Sequence, residues 1–76
     1  MLDPIPDWVP RRRQQIGSQI RAARRAARLS QMALGDRVGR DHKTIHRWES
    51  GATNMTLTDL LLVADALGVP LSELVR

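Results

Sequence analysis

Capping residues divide most of this chain into short helical segments, and this pattern limits what the chain can fold into. Ser30, Asp41 and Thr56 carry side-chain oxygens that accept hydrogen bonds from the free N–H groups at a helix start. Gly39 and Gly68 suit the left-handed backbone conformation that ends a helix. No useful stretch alternates apolar and polar residues as a strand does. The sequence therefore predicts an all-α protein.

Three prolines separate an N-terminal arm from the helical part of the chain. Pro4, Pro6 and Pro10 argue against regular helix before position 10, so we expect residues 1–9 to form an arm. Pro10 suits the first helical position, where its missing N–H group costs nothing. We therefore predict a first helix over residues 10–28. Its apolar face is expected to consist of Ile16, Ile20, Ala23 and Ala27.

Four more helices follow from the caps and from the helical spacing of apolar residues. Their predicted limits are Ser30 to Gly39, Asp41 to Gly51, Thr56 to Gly68 and Pro70 to Val75. The buried residues of helices 2 and 3 are predicted to be Leu34, Val38, Ile45 and Trp48. Helix 4 has the clearest amphipathic pattern, and Thr56 with Asp59 predicts a capping box at its start. Its buried face is predicted to be Leu57, Leu60, Leu61, Ala64 and Leu67.

Length and composition limit the class of protein. A chain of 76 residues is expected to form one domain, which we place at residues 10–76. The absence of cysteine excludes disulfides, thiolate nucleophiles and cysteine-type zinc sites. The first seven residues do not resemble a secretory signal, and no stretch is apolar enough to span a membrane. We therefore expect a cytoplasmic protein.

Positive charge is concentrated in the first two-thirds of the chain. Residues 8–49 contain ten arginines and one lysine against three acidic residues, a net charge of +8, whereas residues 50–76 carry −2. Charge of this sign and distribution indicates an anionic polymer such as nucleic acid as the partner. A role in solubility alone is the alternative interpretation.

The segment from Gln31 to Ser50 is typical of a helix-turn-helix, because two short helices are joined by a few residues that include Gly39. If Ile45 and Trp48 face the core, helical geometry turns a polar set of side chains outward. This exposed set is Lys43, Arg47 and Ser50, with His46 beside them and Thr44 at the flank. Such side chains can form hydrogen bonds with base edges, and an ordinary solvated face is the alternative.

The helix-turn-helix and the positions around it resemble a known family. The matching residues are Leu29-Ser30-Gln31, Leu34, Gly39, Thr44 to Gly51, Leu57, Leu60, Ala64, Ala66 to Val69 and Leu74. Over about residues 16–75 the chain resembles the phage-repressor-like (Cro/C1, or XRE) helix-turn-helix domains. The resemblance implies a compact five-helix, lambda-repressor-like fold whose third helix enters the major groove of double-stranded DNA. It further implies a transcriptional regulator, usually a repressor, that binds a partly palindromic operator as a homodimer.

The resemblance also implies roles for individual residues. The base-reading residues it implies are His42, Lys43, Thr44, His46 and Arg47. The phosphate-binding residues it implies are Gln31 and Asn54. Thr56 is a further candidate, because the N-terminus of helix 4 can attract a phosphate. To these we add Ser50, from the exposed face of helix 3, and Arg40, which replaces the aliphatic residue usual in the turn. An exposed arginine without a partner is the alternative for Arg40.

The same resemblance implies a structural ion pair between Arg24 and Glu49, linking helix 1 to the end of helix 3. Two independent surface charges are the alternative. If the pair forms, we expect Arg24→Ala to destabilise the fold, because the substitution leaves a charge without its partner.

The chain departs from the family pattern at three further positions. Arg28 and Gly35 stand where the family often has Gly and Ala, and Met55 stands where Pro is frequent. Glycine inside a helix costs backbone entropy, so we expect Gly35 to weaken helix 2 by ~1 kcal/mol relative to alanine.

Enzymatic activity is not expected, because the sequence offers no catalytic constellation and no phosphate-binding glycine loop. His42 and His46 are one helical turn apart, but no cysteine or carboxylate pair completes a metal site. We therefore expect no metal and no cofactor.

The second functional hypothesis is an antitoxin-like or regulatory protein-interaction module with the same fold. Ile5, Trp8 and Val9 in the arm could dock a protein partner, fold onto helix 1 or mediate a homodimer. The candidate dimer surfaces are the arm, Val69, Leu71 and Leu74.

Overall fold

The computed structural model describes residues 4–76, which form five α-helices and no strand. The helices are α1 (Trp8–Ala26), α2 (Gln31–Val38), α3 (His42–Ser50), α4 (Leu57–Leu67) and α5 (Leu71–Leu74). The predicted all-α, five-helix fold is thus confirmed. Among the described helices, none combines the length and apolarity needed to cross a membrane.

The predicted caps define the start of three helices. The Ser30 hydroxyl accepts from the backbone N–H of Ala33 at 2.9 Å, and an Asp41 carboxylate oxygen accepts from that of Thr44 at 2.8 Å. Thr56 and Asp59 form the reciprocal capping box, with both hydrogen bonds at 3.0 Å. Since a side-chain cap contributes about 1 kcal/mol, these residues hold short helices that would be marginal alone.

The predicted limits of the first helix were wrong at both ends. The helix begins at Trp8, so the arm does not extend to position 9, and Pro10 is the third helical residue. This is permitted because N–H groups in a first helical turn have no partner within the helix. The part of the predicted arm at residues 1–3 lies outside the described residues. At the other end the helix stops at Ala26, and Arg28 adopts a left-handed backbone with φ of 59°.

One apolar cluster holds the helices together. Ile20 of α1, Leu34 of α2, Ile45 of α3, Val63 of α4 and Leu74 of α5 are fully buried. They stand with a group of nearly buried residues, which are Val38, Trp48, Ala64 and Leu67. Every helix therefore contributes to the core, and α3 is buried on one face only.

The predicted buried face of α4 was partly wrong. Ala64 and Leu67 are buried as expected, but Leu57 is 63% exposed and Leu61 is 50% exposed, while Val63 is fully buried. Residues 60, 63, 64 and 67 also have helical spacing, so the leucine-rich sequence fits two neighbouring faces. The packing of α4 against α1, α2 and α5 selects the face that contains Val63.

The expected cost of Gly35 was also wrong. The backbone of the turn crosses this residue so closely that a Cβ atom at position 35 would lie 2.4 Å from the Arg40 carbonyl oxygen. The Arg40 N–H donates to the Gly35 carbonyl at 2.9 Å, which holds the two segments together. Alanine would force them apart, so the close approach outweighs the lower helix propensity of glycine.

We predict that Arg28→Gly stabilises the protein by about 0.5–1 kcal/mol, because a left-handed backbone strains any residue with a Cβ atom. Thermal unfolding should show this as a rise of several degrees in Tm. Ala27→Gly is the matched control, because the backbone of Ala27 is right-handed with φ of −81°. The control should lower Tm, and an equal effect of both substitutions would contradict the prediction.

Candidate nucleic-acid interface

The face of α3 opposite the core is cationic and open. Ile45 and Trp48 are buried, which turns Lys43, His46 and Arg47 outward, and all three are exposed. His42 is exposed at the start of the helix and Thr44 is half-buried at its flank. The structure thus brings the five predicted base-reading residues onto one short helix. Together they present one lysine, one arginine, two imidazoles and a hydroxyl.

Asp41 holds the start of this helix and is itself exposed. Hydrogen bonds from the backbone and side chain of Thr44 lower the pKa of the Asp41 carboxyl. The Asp41 carboxylate is therefore ionised at neutral pH. Its negative charge also interacts favourably with the positive end of the α3 dipole.

A buried carboxylate fixes the other end of α3. Glu49 accepts from Arg24 through both oxygens, at 2.6 Å from Nε and 3.0 Å from a terminal nitrogen. Gln31 donates to the same carboxylate at 3.2 Å, and Arg21 lies 3.4 Å from it. A terminal nitrogen of Arg24 also donates to the Leu29 carbonyl at 2.7 Å. We call Arg21, Arg24, Gln31 and Glu49 the Glu49 cluster; it joins α1, α2 and α3.

Opposing effects act on the titration of the pair at the centre of the Glu49 cluster. Burial by itself would raise the pKa of Glu49, but hydrogen bonds from Arg24, Gln31 and Arg21 and the charge of Arg24 outweigh it. The net result is a lowered pKa for Glu49, and the same hydrogen bond raises the pKa of Arg24. Glu49 therefore stays ionised inside the protein.

Gln31 and Arg40, two of the predicted phosphate-binding residues, make contacts within the protein. One N–H group of the Gln31 amide is used by Glu49, so its second N–H group and the first turn of α2 are what it can offer a phosphate. Arg40 forms an ion pair with Asp59 at 2.9 Å, and its side chain is 44% exposed. The structure thus gives Arg40 a partner and turns it toward the start of α4.

Asp59 serves both Arg40 and the capping box. Burial alone would raise its pKa, but the hydrogen bonds from Thr56 and the charge of Arg40 lower it. Since this carboxylate also accepts from the Thr56 backbone N–H, the turn before α3 and the start of α4 are held by one side chain.

The three remaining phosphate candidates lie at the end of α3 and in the following loop. The Ser50 hydroxyl donates to the Arg47 carbonyl at 3.1 Å, and the Thr56 hydroxyl accepts from Asp59. Asn54 is exposed, and its side-chain oxygen accepts from Arg13 at 2.6 Å. Because the Asn54 oxygen is used by Arg13, the polar group that this side chain can offer a ligand is its NH₂ group.

Two arginines with roles at this surface were missed from the sequence. Arg21 lies three residues before Arg24, so helical spacing could have placed it beside the same carboxylate. Arg13 contacts the loop 38 to 41 residues further along the chain, and no local pattern indicates that contact.

Within residues 4–76, no three side chains of the metal-binding types come together, and His42 and His46 gain no third ligand.

The sequence matches a known family of helix-turn-helix domains, in agreement with the fold described above. A family model described as a helix-turn-helix domain matches residues 15–76, and the chain belongs to this family of DNA-binding domains. No curated protein matches the chain.

Two solved structures place the chain more narrowly. The restriction-modification controller protein C.AhdI from Aeromonas hydrophila is 31% identical, with a TM-score of 0.82 over 86% of this chain and 94% of that chain. The P22 c2 repressor, solved with synthetic operator 9T in the presence of Tl+, is 33% identical, with a TM-score of 0.74 over 80% of this chain and 92% of that chain. The chain is accordingly a helix-turn-helix protein of the Cro/C1 (XRE) type. Its relatives are a controller protein and a repressor, and the class is not one of enzymes.

We predict that Arg24→Ala destabilises the protein by about 3 kcal/mol at pH 7, because Glu49 loses its main partner while buried. Glu49 has a lowered pKa in the native state, so its stabilising contribution is present above the ordinary pKa of Glu, about 4.3. That contribution is lost as the pH falls through the native pKa. The effect of Arg24→Ala should therefore shrink toward pH 3. Urea unfolding at a series of pH values measures both quantities.

Arg25→Ala is the matched control for this measurement, since Arg25 is the next residue on α1 and is exposed. It should change the free energy of unfolding little at any pH. Equal losses for the two variants, or a loss at Arg24 that does not depend on pH, would contradict the prediction.

Proposed function

We propose that this protein is a sequence-specific regulator of transcription that binds double-stranded DNA by inserting α3 into the major groove, and that it acts as a repressor. The observation that carries the proposal is the exposure of Lys43, His46 and Arg47 on the side of α3 opposite its buried residues. A short helix held by the core on one face and open on the other has the form required to enter the groove. Similarity to a repressor solved with its operator supports the same role.

Base recognition is assigned to the exposed face of α3. Lys43 and Arg47 have donors that suit the O6 and N7 atoms of guanine. His42, Thr44 and His46 can donate or accept, so they suit either member of a base pair. The charges of Lys43 and Arg47 form no ion pair with a carboxylate in the part of the chain that the structure describes.

Phosphate contacts are assigned to residues around α3. Their expected contributions differ, because some of their donors are already used within the protein. Gln31 offers one amide N–H beside the N-terminus of α2, and Thr56 can still donate its hydroxyl proton. Asn54 offers its NH₂ group. Arg40 shares its charge with Asp59, and Ser50 already donates to Arg47, so these two are expected to contribute less.

The test is selection of binding sites from a random duplex library, using the native protein and the double variant Lys43→Ala, Arg47→Ala. The native protein should enrich a motif with two-fold symmetry, and the variant should lose or relax it. The matched control, Arg11→Ala with Arg25→Ala, removes the same charge from exposed positions on α1 and should keep the motif. For each tenfold rise in salt, the logarithm of the affinity should fall by about 0.9 for each phosphate that a lysine or an arginine neutralises.

Enrichment of the same motif by the native protein and the Lys43, Arg47 variant would show that α3 does not read the sequence. If no protein enriches a motif although all are folded, the protein-interaction module becomes the better hypothesis. The features that favour that second hypothesis are the exposed apolar side chains of Ile5 and Trp8. It leaves the cationic face of α3 unexplained.

We also propose that two copies pair through α4 when they occupy a two-fold operator. Leu57, Leu61 and Leu62 form an exposed apolar face on this helix, and such faces are common at protein interfaces. Leu74, one of the surfaces expected from the sequence, is fully buried and cannot contribute. Of the surfaces expected from the sequence, Leu74 is thus excluded, whereas Val69 and Leu71 are half-buried and the arm stays a candidate.

Leu61→Glu should abolish cooperative binding of two chains to the selected duplex, because it places a charge in the centre of the proposed contact. Sedimentation of the protein–duplex complex gives the number of bound chains. Ile5→Glu is the control and also tests the arm, because Ile5 is 68% exposed. Cooperative binding of two Leu61→Glu chains would disprove pairing through α4. Loss of cooperative binding in Ile5→Glu alone would assign the pairing to the arm.

A further inference from the structure

We propose that Arg13, on α1, is a positioning residue that turns the Asn54 side chain toward a DNA phosphate. The inference rests on the proposed function and extends it to a residue outside the helix-turn-helix. Arg13 is not expected to contact the DNA itself. Its role is to hold the loop between α3 and α4, residues 51–56, in the geometry that presents Asn54.

The geometry of the contact is a fork between one helix and this loop. The Nε atom of Arg13 donates to the Gly51 carbonyl at 2.9 Å, and a terminal nitrogen donates to the Asn54 side-chain oxygen at 2.6 Å. A planar guanidinium with two such contacts restrains both their spacing and their direction. The first contact holds Gly51, the residue that follows the end of α3, and the second holds the side chain three residues later. Asn54 is thereby held in a fixed relation to α3.

The direction of the Asn54 amide follows from hydrogen-bond chemistry. A guanidinium has only donors, so the amide must present its oxygen to Arg13. The NH₂ group lies on the other branch of the same planar amide and therefore points away from Arg13. Because Asn54 is exposed, this NH₂ group is available to a ligand that accepts hydrogen bonds. A phosphate oxygen only accepts, and so it matches the group that Asn54 presents.

The contacts of Arg13 add a second reason to expect an anion at this loop, because they involve no carboxylate that would repel one. The ion pairs found among residues 4–76 involve Arg21, Arg24 and Arg40, and Arg13 contacts neutral oxygens instead. Its positive charge is therefore not neutralised by a carboxylate, unlike the charge of Arg24 in the Glu49 cluster. The loop follows directly after α3, so an anion bound there would lie beside the proposed recognition helix.

The test is a double-mutant cycle on DNA affinity with Arg13→Gln, Asn54→Ala and the combined variant. Each single substitution should weaken binding about tenfold, because Asn54→Ala removes the hydrogen bond to phosphate and Arg13→Gln removes the contact that directs it. The combined variant should be no weaker than either single one, since Arg13 acts through Asn54. Losses that multiply to about a hundredfold would overturn the inference. Fluorescence anisotropy with a labelled duplex, both the selected sequence and a shuffled one, gives the affinities.

Salt dependence separates positioning from direct contact. In the proposed arrangement the group that contacts the phosphate is the neutral amide of Asn54, which releases no counterion. Arg13→Gln should therefore leave the slope of log affinity against log salt as in the native protein. A decrease in the slope by about 0.9 would show that the guanidinium itself contacts a phosphate, and it would overturn the inference. Arg13→Lys keeps the charge but lacks the planar fork, so it should bind as weakly as Arg13→Gln. Native affinity for Arg13→Lys would equally overturn it.

Asn54→Asp keeps the test decisive if loss of Arg13 prevents folding. Aspartate retains an oxygen for Arg13 and replaces the outward NH₂ group with a second oxygen, so the fold should persist while DNA binding weakens. Ala52→Asp is its control, because it adds the same charge to an exposed position in the same loop. Equal weakening by the two would contradict a specific contact of Asn54.

The two proposals fail in different ways. If the native protein binds no duplex, the proposed function fails and this inference fails with it. If the native protein selects a motif but the losses in the cycle multiply, only the role of Arg13 is wrong.

Discussion

The buried carboxylate of Glu49 is the constraint on which the position of α3 depends. A carboxylate without partners inside a protein would cost several kcal/mol, so its presence requires donors from the surrounding helices. Arg24 supplies a two-nitrogen contact from α1, and Gln31 supplies an amide contact from α2. These contacts are directional, unlike the apolar contacts of the core. They therefore fix how α3 is rotated against α1 and α2, and with it which residues α3 exposes.

Close backbone approach completes the placement of α3. Gly17 lies where α1 crosses α3, and a Cβ atom there would lie 2.5 Å from the carbonyl oxygens of Trp48 and Glu49. Gly35 permits an equally close approach between α2 and the turn that precedes α3. The ion pair sets the direction of the helix, and the two glycines set its depth. Because the two glycines bring backbone against backbone, α3 has little freedom to shift relative to its neighbours.

The arginines of this chain serve different physical purposes although they look alike in the sequence. Arg24 and Arg21 neutralise a buried charge, and Arg40 pairs with the carboxylate that caps α4. Arg47 and Lys43 are exposed on α3, where their charge is directed to solvent. A high net positive charge therefore overstates the number of cations available to DNA.

The sequence by itself determined the five helices, the caps at Ser30, Asp41 and Thr56, and the buried pair Ile45 and Trp48, because short-range hydrogen bonds and helical periodicity act within a few residues. The family and the pairing of Glu49 with Arg24 also followed from residues that can be named in order along the chain.

Only the tertiary structure decided which face of α4 is buried, since two leucine-rich faces satisfy the same periodicity and packing against three other helices chooses between them. Tertiary structure also decided that Gly35 is required by a backbone crossing, and that Arg13 reaches the loop at Asn54. These three features depend on segments distant in sequence meeting at atomic distances, and no local pattern contains that information.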